Sequence, residues 1–354
     1  MYMESNRQKS VVFTGGGSGG HVFPNQPLIE YYKQKYIVYY FGTKTGVEKE
    51  ITKSWGIEYR SIVSGKLRRY FDLQNIVDIF KVLLGIIDAY KQLRVIRPLF
   101  IFSKGGFVSV PVVIAGKMLG IPVYIHEADM TPGLANRIAV PFGAHLFMTF
   151  PPTYVPQISY TVSGLPLRSS IYLADSTLGK SFLGITQNKP ILLVLGGSLG
   201  AASLNLYIVN NLETITKDFI VVHFTGTGKQ NKSIQNPNYI QKEFVGAEMF
   251  DCIAAADVVV SRGGAGSVME LLTLQKPTLF IPLPKSQSRG DQIENTLYVQ
   301  NHGACKVLFE EEMNNSIFIH TLREVYRDRE LLVANIQKME LPRATEIIIK
   351  KIGL

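Results

Sequence analysis

Cysteine is nearly absent: Cys252 and Cys305 are the only two in 354 residues, and they match no metal or redox spacing. That usage suits a reducing compartment rather than a disulfide-built secreted fold. Charge is also sparse, with 18% charged residues against 46% hydrophobic ones, which is too apolar for a disordered chain. No Asp-x-Asp pair occurs anywhere, so a carboxylate-held divalent metal is not indicated, and neither a metal nor another cofactor is expected. A membrane span is missing too. The most apolar long segment, 76–96, carries Asp78, Lys81, Asp88, Lys91 and Arg94, a charge load that excludes crossing a bilayer. The opening residues, MYMESNRQKSVVF, show no apolar run after a basic segment and no small-residue cleavage site, so they are not read as a signal peptide.

Acidic residues are outnumbered by basic ones, 28 to 37, leaving a formal charge of +9. Such a balance favours an anionic partner: nucleic acid, a nucleotide diphosphate or an anionic membrane leaflet. Charge does not choose among the three. The length is enough for two domains with cores of their own.

The first half opens with a short strand at 10–13, then Thr14-Gly15-Gly16-Gly17-Ser18-Gly19-Gly20-His21, then a helix predicted from about Pro24 to Lys35. Strand, glycine loop and helix in that order mark a doubly wound α/β fold. The loop has no Gly-Lys-Ser/Thr ending, so it is not a P-loop, and its five glycines in six residues exceed the dinucleotide-binding pattern. Strands are predicted at 36–41, 99–103 and 122–125. Between the first two of these, Gly65-Lys66-Leu67-Arg68-Arg69-Tyr70-Phe71 forms a basic and aromatic loop leading into a helix over 73–96. In that helix Ile76, Ile79, Phe80, Leu83, Leu84 and Ile87 recur at three- and four-residue spacing, which is read as a stripe facing the core. Val77, Val82 and Ile86 widen the apolar surface. With Lys66, Arg68 and Arg69 alongside, residues such as Ile76, Phe80 and Leu83 also make a patch able to rest on an anionic membrane.

Gly164-Leu165-Pro166-Leu167-Arg168 reads as a junction. The second half starts with an apolar strand at 191–195, the loop Gly196-Gly197-Ser198-Leu199-Gly200-Ala201 and a helix over 202–211. Strands follow at 219–224 and 244–245. The most informative stretch is Ser261–Asn295. Asp257-Val258-Val259-Val260 is a buried-strand run, Arg262-Gly263-Gly264-Ala265-Gly266 a sharp turn, and Ser267–Leu274 a helix. A glycine turn into a helix exposes N–H groups at the positive end of the dipole, suited to a diphosphate. Glu270, about a turn further on, is placed to accept from ribose hydroxyls. The amides of Gln292 and Asn295 can both donate and accept, as sugar hydroxyls require. Taken alone, each feature is more often ordinary capping, pairing or a solvated face than a ligand contact.

The two halves echo one another. Ser103-Lys104-Gly105-Gly106-Phe107-Val108-Ser109-Val110 and Ser261-Arg262-Gly263-Gly264-Ala265-Gly266-Ser267-Val268 share Ser, a basic residue, two glycines, Ser and Val. Two Rossmann-like domains facing across a cleft is the simplest architecture that explains this. The expected division is 1–165, 166–340, and a segment 341–354 returning to the first domain.

The ordered motifs GGGSGGH (Gly15–His21), GGFVSVP (Gly105–Pro111), HEAD (His126–Asp129), GLPLR (Gly164–Arg168), GGSLGA (Gly196–Ala201), SRGGAGSVMEL (Ser261–Leu271) and DQIEN (Asp291–Asn295) span nearly the whole chain. Together they resemble the two-domain GT-B glycosyltransferases, and among these the family that adds N-acetylglucosamine to lipid I to form lipid II. The resemblance implies UDP-N-acetylglucosamine as donor, undecaprenyl-diphosphate-linked lipid I as acceptor, inversion at the anomeric carbon with attack by the 4-hydroxyl, and no metal or nucleic acid. It implies peripheral attachment to the cytoplasmic face of the plasma membrane. Carried over by position, Arg168, Ser198, Val245 (by its backbone), Gly264, Ala265, Glu270, Gln292 and Asn295 would meet the donor, with Asp129 a further contact. Ser18, Gly19, Gly20, Phe107 and Ser109 would meet the acceptor diphosphate. For acid–base work His21 is favoured, its ordinary pKa lying near neutrality, with Glu127 the rival; a purely structural role remains open for both. The chain departs from the family in carrying Ser18 for a common Thr, Phe107 for a frequent Tyr, and Ala128-Asp129 where Gln-Asn is usual. A UDP-N-acetylglucosamine 2-epimerase, a transferase acting on another lipid and a non-catalytic nucleotide-sugar binder are the alternatives. The basic loop and the apolar helix weigh against the epimerase.

Overall fold

The computed structural model describes residues 8–65, 74–153, 158–196 and 201–354. The chain divides into two compact units, one of Met1–Arg168 with Pro342–Leu354, the other of Ser169–Leu341. In the first, β1 (Ser10–Thr14), β2 (Ile37–Gly42), β3 (Glu58–Ser61), β4 (Ile101–Ser103), β5 (Val123–Glu127), β6 (His145–Met148) and β7 (Tyr160–Val162) form one parallel sheet. Its order is β3-β2-β1-β4-β5-β6-β7. In the second, β8 (Ile191–Leu195), β9 (Ile220–Phe224), β10 (Tyr239–Lys242), β11 (Val258–Ser261), β12 (Thr278–Phe280) and β13 (Lys306–Val307) are parallel in the order β10-β9-β8-β11-β12-β13. Both sheets reverse their build direction once, between β1 and β4 and between β8 and β11. At such a reversal the loops from neighbouring strands diverge to opposite faces and leave room for a ligand above the strand ends. The echoed glycine motifs follow β4 and β11, one at each reversal.

Parallel strands covered on both faces read as unbroken apolar runs, and β1 and β8 are buried along their whole length. Successive side chains serve opposite layers: Val11 and Phe13 join one core cluster, Val12 the other. The terminal helix Ala344–Ile352 completes the first of these, placing Ile348 and Ile352 beside Phe13, Tyr32 and Phe147.

Three expectations change. The helix expected over 24–35 is a 3-10 turn, Phe23–Asn25, followed by a shorter helix, Gln26–Tyr32. Pro24 and Pro27 lack the N–H that an earlier helical ladder would need. The strand expected at 244–245 lies instead at Tyr239–Lys242, whose register on β9 runs from Tyr239 opposite Val221 to Lys242 opposite Phe224. Val245 is buried but lies beyond that ladder.

The third correction is the long helix, Gln74–Ile96. Its supposed core stripe faces outward: Ile79, Phe80, Leu83, Leu84 and Ile87, and Val77 beside them, are each at least half exposed. The inward face is made of Asp78, Gly85, Ala89 and Leu93. Close approach explains the choice, because a Cβ on Gly85 would lie 2.1 Å from the Val63 carbonyl oxygen and 3.1 Å from Pro111. Only small residues let the helix sit that near. Among the described residues no helix is long and apolar enough to cross a membrane. Lys66, Arg68 and Arg69, and the side chain of Ile76, lie outside the described residues.

Truncating Ile348 to alanine removes fully buried methylenes from the closing helix. We expect a loss of about 2–4 kcal/mol in urea-induced unfolding, against under about 0.5 kcal/mol for Glu346→Ala on its exposed side.

Candidate active site

In the second unit the turn after β11 is held from three sides. Arg262 is buried at its base: Nη1 donates to the Ile281 carbonyl at 2.9 Å, while Nη2 donates to Ser203 Oγ at 2.8 Å and pairs with Glu310. Gln292 Oε1 accepts from Gly263 N–H at 3.2 Å and from Leu283 N–H at 3.1 Å. Asn295, fully buried, donates from Nδ2 to the Gly263 carbonyl at 3.2 Å. Gly263 must be glycine here, since a Cβ would meet Thr296 and the Gln292 carbonyl within 2.4 and 2.7 Å. Both amides expected to meet a sugar therefore also build the turn.

The helix that follows, Ala265–Thr273, begins at Gly264 with no side-chain cap. Apart from chain neighbours and the helix's own backbone, nothing described stands within 4 Å of where a Cβ on Gly264 or Gly266 would be. The first N–H groups of this nine-residue helix thus carry no side-chain cap at the positive end of its dipole. Glu270 sits half-buried in the second turn of the same helix. Val245 is buried beside a largely exposed Phe244.

In the first unit the two glycine loops touch backbone to backbone. A Cβ on Gly106 would lie 2.2 Å from the Gly16 carbonyl oxygen, and one on Gly17 would lie 2.7 Å from the Phe107 ring. Gly17, Gly105 and Gly106 all have positive φ, which glycine adopts without strain. The structure thus brings Ser18, Gly19, Gly20 and Phe107 together, with Ser18 and Gly20 exposed. Ser109 is buried and donates from Oγ to the Gly106 carbonyl at 2.9 Å, so it shapes the turn from beneath. His21 closes the short 3-10 turn Gly19–His21, half-buried, its N–H donating to the Ser18 carbonyl.

Glu127, at the end of β5, is almost fully buried, and its carboxylate accepts four hydrogen bonds. Donors are the N–H groups of Ala128 (2.9 Å), Asp129 (3.1 Å) and Gly133 (3.1 Å), and Asn136 Nδ2 (2.8 Å). Burial, with the Asp129 charge second, raises its pKa above the ordinary carboxylate value, while these donors and Lys104 pull it down. This geometry makes it the anchor of the loop that carries Asp129. His126 is buried, with Nε2 bonded to the Gly164 carbonyl at 2.9 Å; burial and then the Lys104 charge hold its pKa well below the ordinary value.

Arg168 is the last residue of the first unit before the chain enters the second. Ser198 lies outside the described residues. Sequence reasoning missed two braces. Glu48, fully buried, accepts from Gly17 N–H at 3.3 Å and from Thr43 N–H at 2.8 Å, fixing the first glycine loop from the second crossover. Glu310 does the corresponding work for Arg262. The only sequence signal for either was an acidic residue beside an apolar helix or turn, which is too common to single out.

Family models match both units: the Glycosyltransferase family 28 N-terminal domain over residues 11–148 and the Glycosyltransferase family 28 C-terminal domain over residues 191–348. The UDP-N-acetylglucosamine--N-acetylmuramyl-(pentapeptide) pyrophosphoryl-undecaprenol N-acetylglucosamine transferase of Clostridium tetani is 44% identical over 346 residues, 97% of each chain. Among solved structures, MurG from Acinetobacter baumannii superposes with a TM-score of 0.77 at 24% identity, covering 97% of this chain and 99% of that one. A calicheamicin glycosyltransferase superposes at 0.71 with 12% identity, covering 98% and 100%. These two establish the shared fold.

Removing Glu310 strands a buried guanidinium. Glu310→Ala is expected to lower unfolding free energy by roughly 3 kcal/mol, read by urea denaturation, and Glu310→Gln by less because the amide oxygen still accepts.

Proposed function

The chain belongs to glycosyltransferase family 28, and on that premise we propose that it moves N-acetylglucosamine from UDP-N-acetylglucosamine to lipid I, the undecaprenyl-diphospho-N-acetylmuramoyl-pentapeptide, giving lipid II. The observation that carries the donor side is the uncapped helix start at Gly264. Leaving-group stabilisation is the main electrostatic demand of glycosyl transfer, and a preorganised helix N-terminus meets it without reorganising. The UDP diphosphate lies on the N–H groups of Gly264, Ala265 and Gly266, with Arg168 and Ser198 adding donors. Glu270 takes the ribose hydroxyls, the Val245 backbone reads the uracil, and Gln292 and Asn295 meet the sugar.

Acceptor binding falls to the paired glycine loops, whose Ser18, Gly19, Gly20 and Phe107 meet the second diphosphate above Ser109. His21 removes the proton from the acceptor 4-hydroxyl as its oxygen bonds to the anomeric carbon. The bond from that carbon to the UDP oxygen breaks on the opposite face, so configuration inverts and the electron pair leaves with UDP. Glu127 acts in this scheme by holding the Asp129 loop.

The outward apolar face of the helix Gln74–Ile96 supports peripheral attachment to the cytoplasmic leaflet, where the lipid acceptor lies. Six large side chains at least half exposed on one helix are more than a soluble face needs.

Labelled UDP-N-acetylglucosamine incubated with lipid I, diacylglycerol or no acceptor tests the reaction. Label should enter lipid with lipid I alone; epimer without acceptor, or transfer to diacylglycerol, contradicts the reading. Glu270→Ala should weaken UDP binding about tenfold, and His21→Ala should lower turnover at least a hundredfold with little change in UDP affinity. Phe80→Glu with Leu83→Glu should cut binding to anionic vesicles about tenfold or more while leaving UDP affinity alone.

A further inference from the structure

The echoed motifs place a basic residue at the same point of both sheets, and the two are treated differently. Arg262 commits both terminal nitrogens to Ile281, Ser203 and Glu310. Lys104 is fully buried, and its Nζ makes no hydrogen bond. A buried ammonium with no side-chain or backbone partner among the described residues is among the costlier arrangements in a protein. Asn25 Oδ1, His126 Nδ1 and Asn136 Oδ1 are likewise buried without a partner among the described residues. The backbone sets Lys104 between the two loops: its N–H donates to the Thr14 carbonyl at 2.9 Å, and the register of β4 on β5, ending with Ser103 opposite Ile125, brings it alongside His126. A Cβ on Gly15 would touch Lys104 Cβ at 3.2 Å and Asn25 Nδ2 at 3.4 Å, and a Cβ on Gly105 would lie 2.7 Å from Asn136 Oδ1.

The charged and titratable groups facing Lys104 are His126 and Glu127 on β5 and Asp129 on the loop beyond. His21 lies on the neighbouring turn, its carbonyl oxygen 2.3 Å from the same Gly15 position. Two carboxylates face one ammonium, which argues against Lys104 as the receptor of a further anion and for its being their counter-charge.

We propose that Lys104 is a positioning residue for the transfer reaction: its ammonium is the buried counter-charge against which the glycine loop ending at His21 and the loop 127–136 take their relative placement. Resting on the proposed function, this adds to it a residue that touches neither substrate. Burial lowers the Lys104 pKa to about 8, with Glu127 and Asp129 opposing. A lowered lysine pKa means the unfolded chain holds the proton more tightly, so this group makes stability rise, not fall, as pH climbs from about 8 toward 10.5. The charged form is thus kept at a cost in stability. Turnover should move the other way, falling above about pH 8 as the ammonium is lost.

The test compares the parent with Lys104→Met and Lys104→Arg in the lipid I assay across pH, with UDP affinity measured alongside. Lys104→Met should lower kcat about tenfold or more with KM for UDP-N-acetylglucosamine within about twofold, and Lys104→Arg should recover most of kcat and move the alkaline limb upward. Parental turnover in Lys104→Met, an arginine variant no faster than the methionine one, or an unmoved alkaline limb overturns the proposal. Should Lys104→Met not fold, NMR titration of the parent with lysine isotope-labelled at Cε decides, the Lys104 signal being assigned by its loss in Lys104→Arg. A midpoint near 8 supports the proposal; one at the free-lysine value overturns it. If even the parent transfers nothing to lipid I, the proposed function fails, and that titration still reports on Lys104 by itself.

Discussion

Where a parallel sheet reverses its direction of growth, two neighbouring strands send their chains to opposite faces, and nothing in the ladder fills the space above their ends. Both sheets contain this reversal, between β1 and β4 and between β8 and β11. The local demand is backbone proximity rather than side-chain packing. Gly106 rests on the Gly16 carbonyl, and Gly263 on Gln292 and Thr296, at distances that no Cβ tolerates. Glycine at these points follows from topology, and the exposed N–H groups follow from glycine. The proposed diphosphate site rests on that consequence.

Beneath those loops the protein solves one electrostatic problem twice. A cation under a glycine turn organises carbonyls and carboxylates that would otherwise repel or go unbonded. In the second unit the solution is closed: Arg262, Ser203 and Glu310 form a bonded set that rigidifies the turn. The first unit leaves it open, with Lys104 facing Glu127 and Asp129 without a bond of its own. The echoed motif thus carries a bonded cation in one unit and an unbonded one in the other, which we infer to be charge-sensitive. That difference fits a division in which the second unit grips a leaving group and the first governs a proton.

Strands and glycine loops were legible because their signals are local: β-branched runs of four or five residues, then glycine. The strands at 10–14 and 191–195 fell within a residue of expectation for that reason. The long helix was not legible, because a stripe at three- and four-residue spacing says that a face is apolar and not which way it points. Gly85 and Ala89, the residues that decide, look like gaps in the pattern. The edge strand Tyr239–Lys242 escaped because its two polar residues dilute the apolar signal. Candidate site residues were named where the order of the motifs carried them. Glu48 and Glu310 were not, since their roles depend on contacts 31 and 48 residues away along the chain. Gln292 and Asn295 were expected as amides facing a sugar, and their bonds to Gly263 show a structural task that composition could not reveal.

The central claim is that a nucleotide diphosphate sits on the helix start after β11. Amide NMR shifts followed during titration with UDP test it most directly. The largest changes should fall on Gly264, Ala265, Gly266 and Ser267, with those of Gly15–Gly20 small. Changes centred on Gly15–Gly20, with the Gly264–Ser267 amides unmoved, would contradict it.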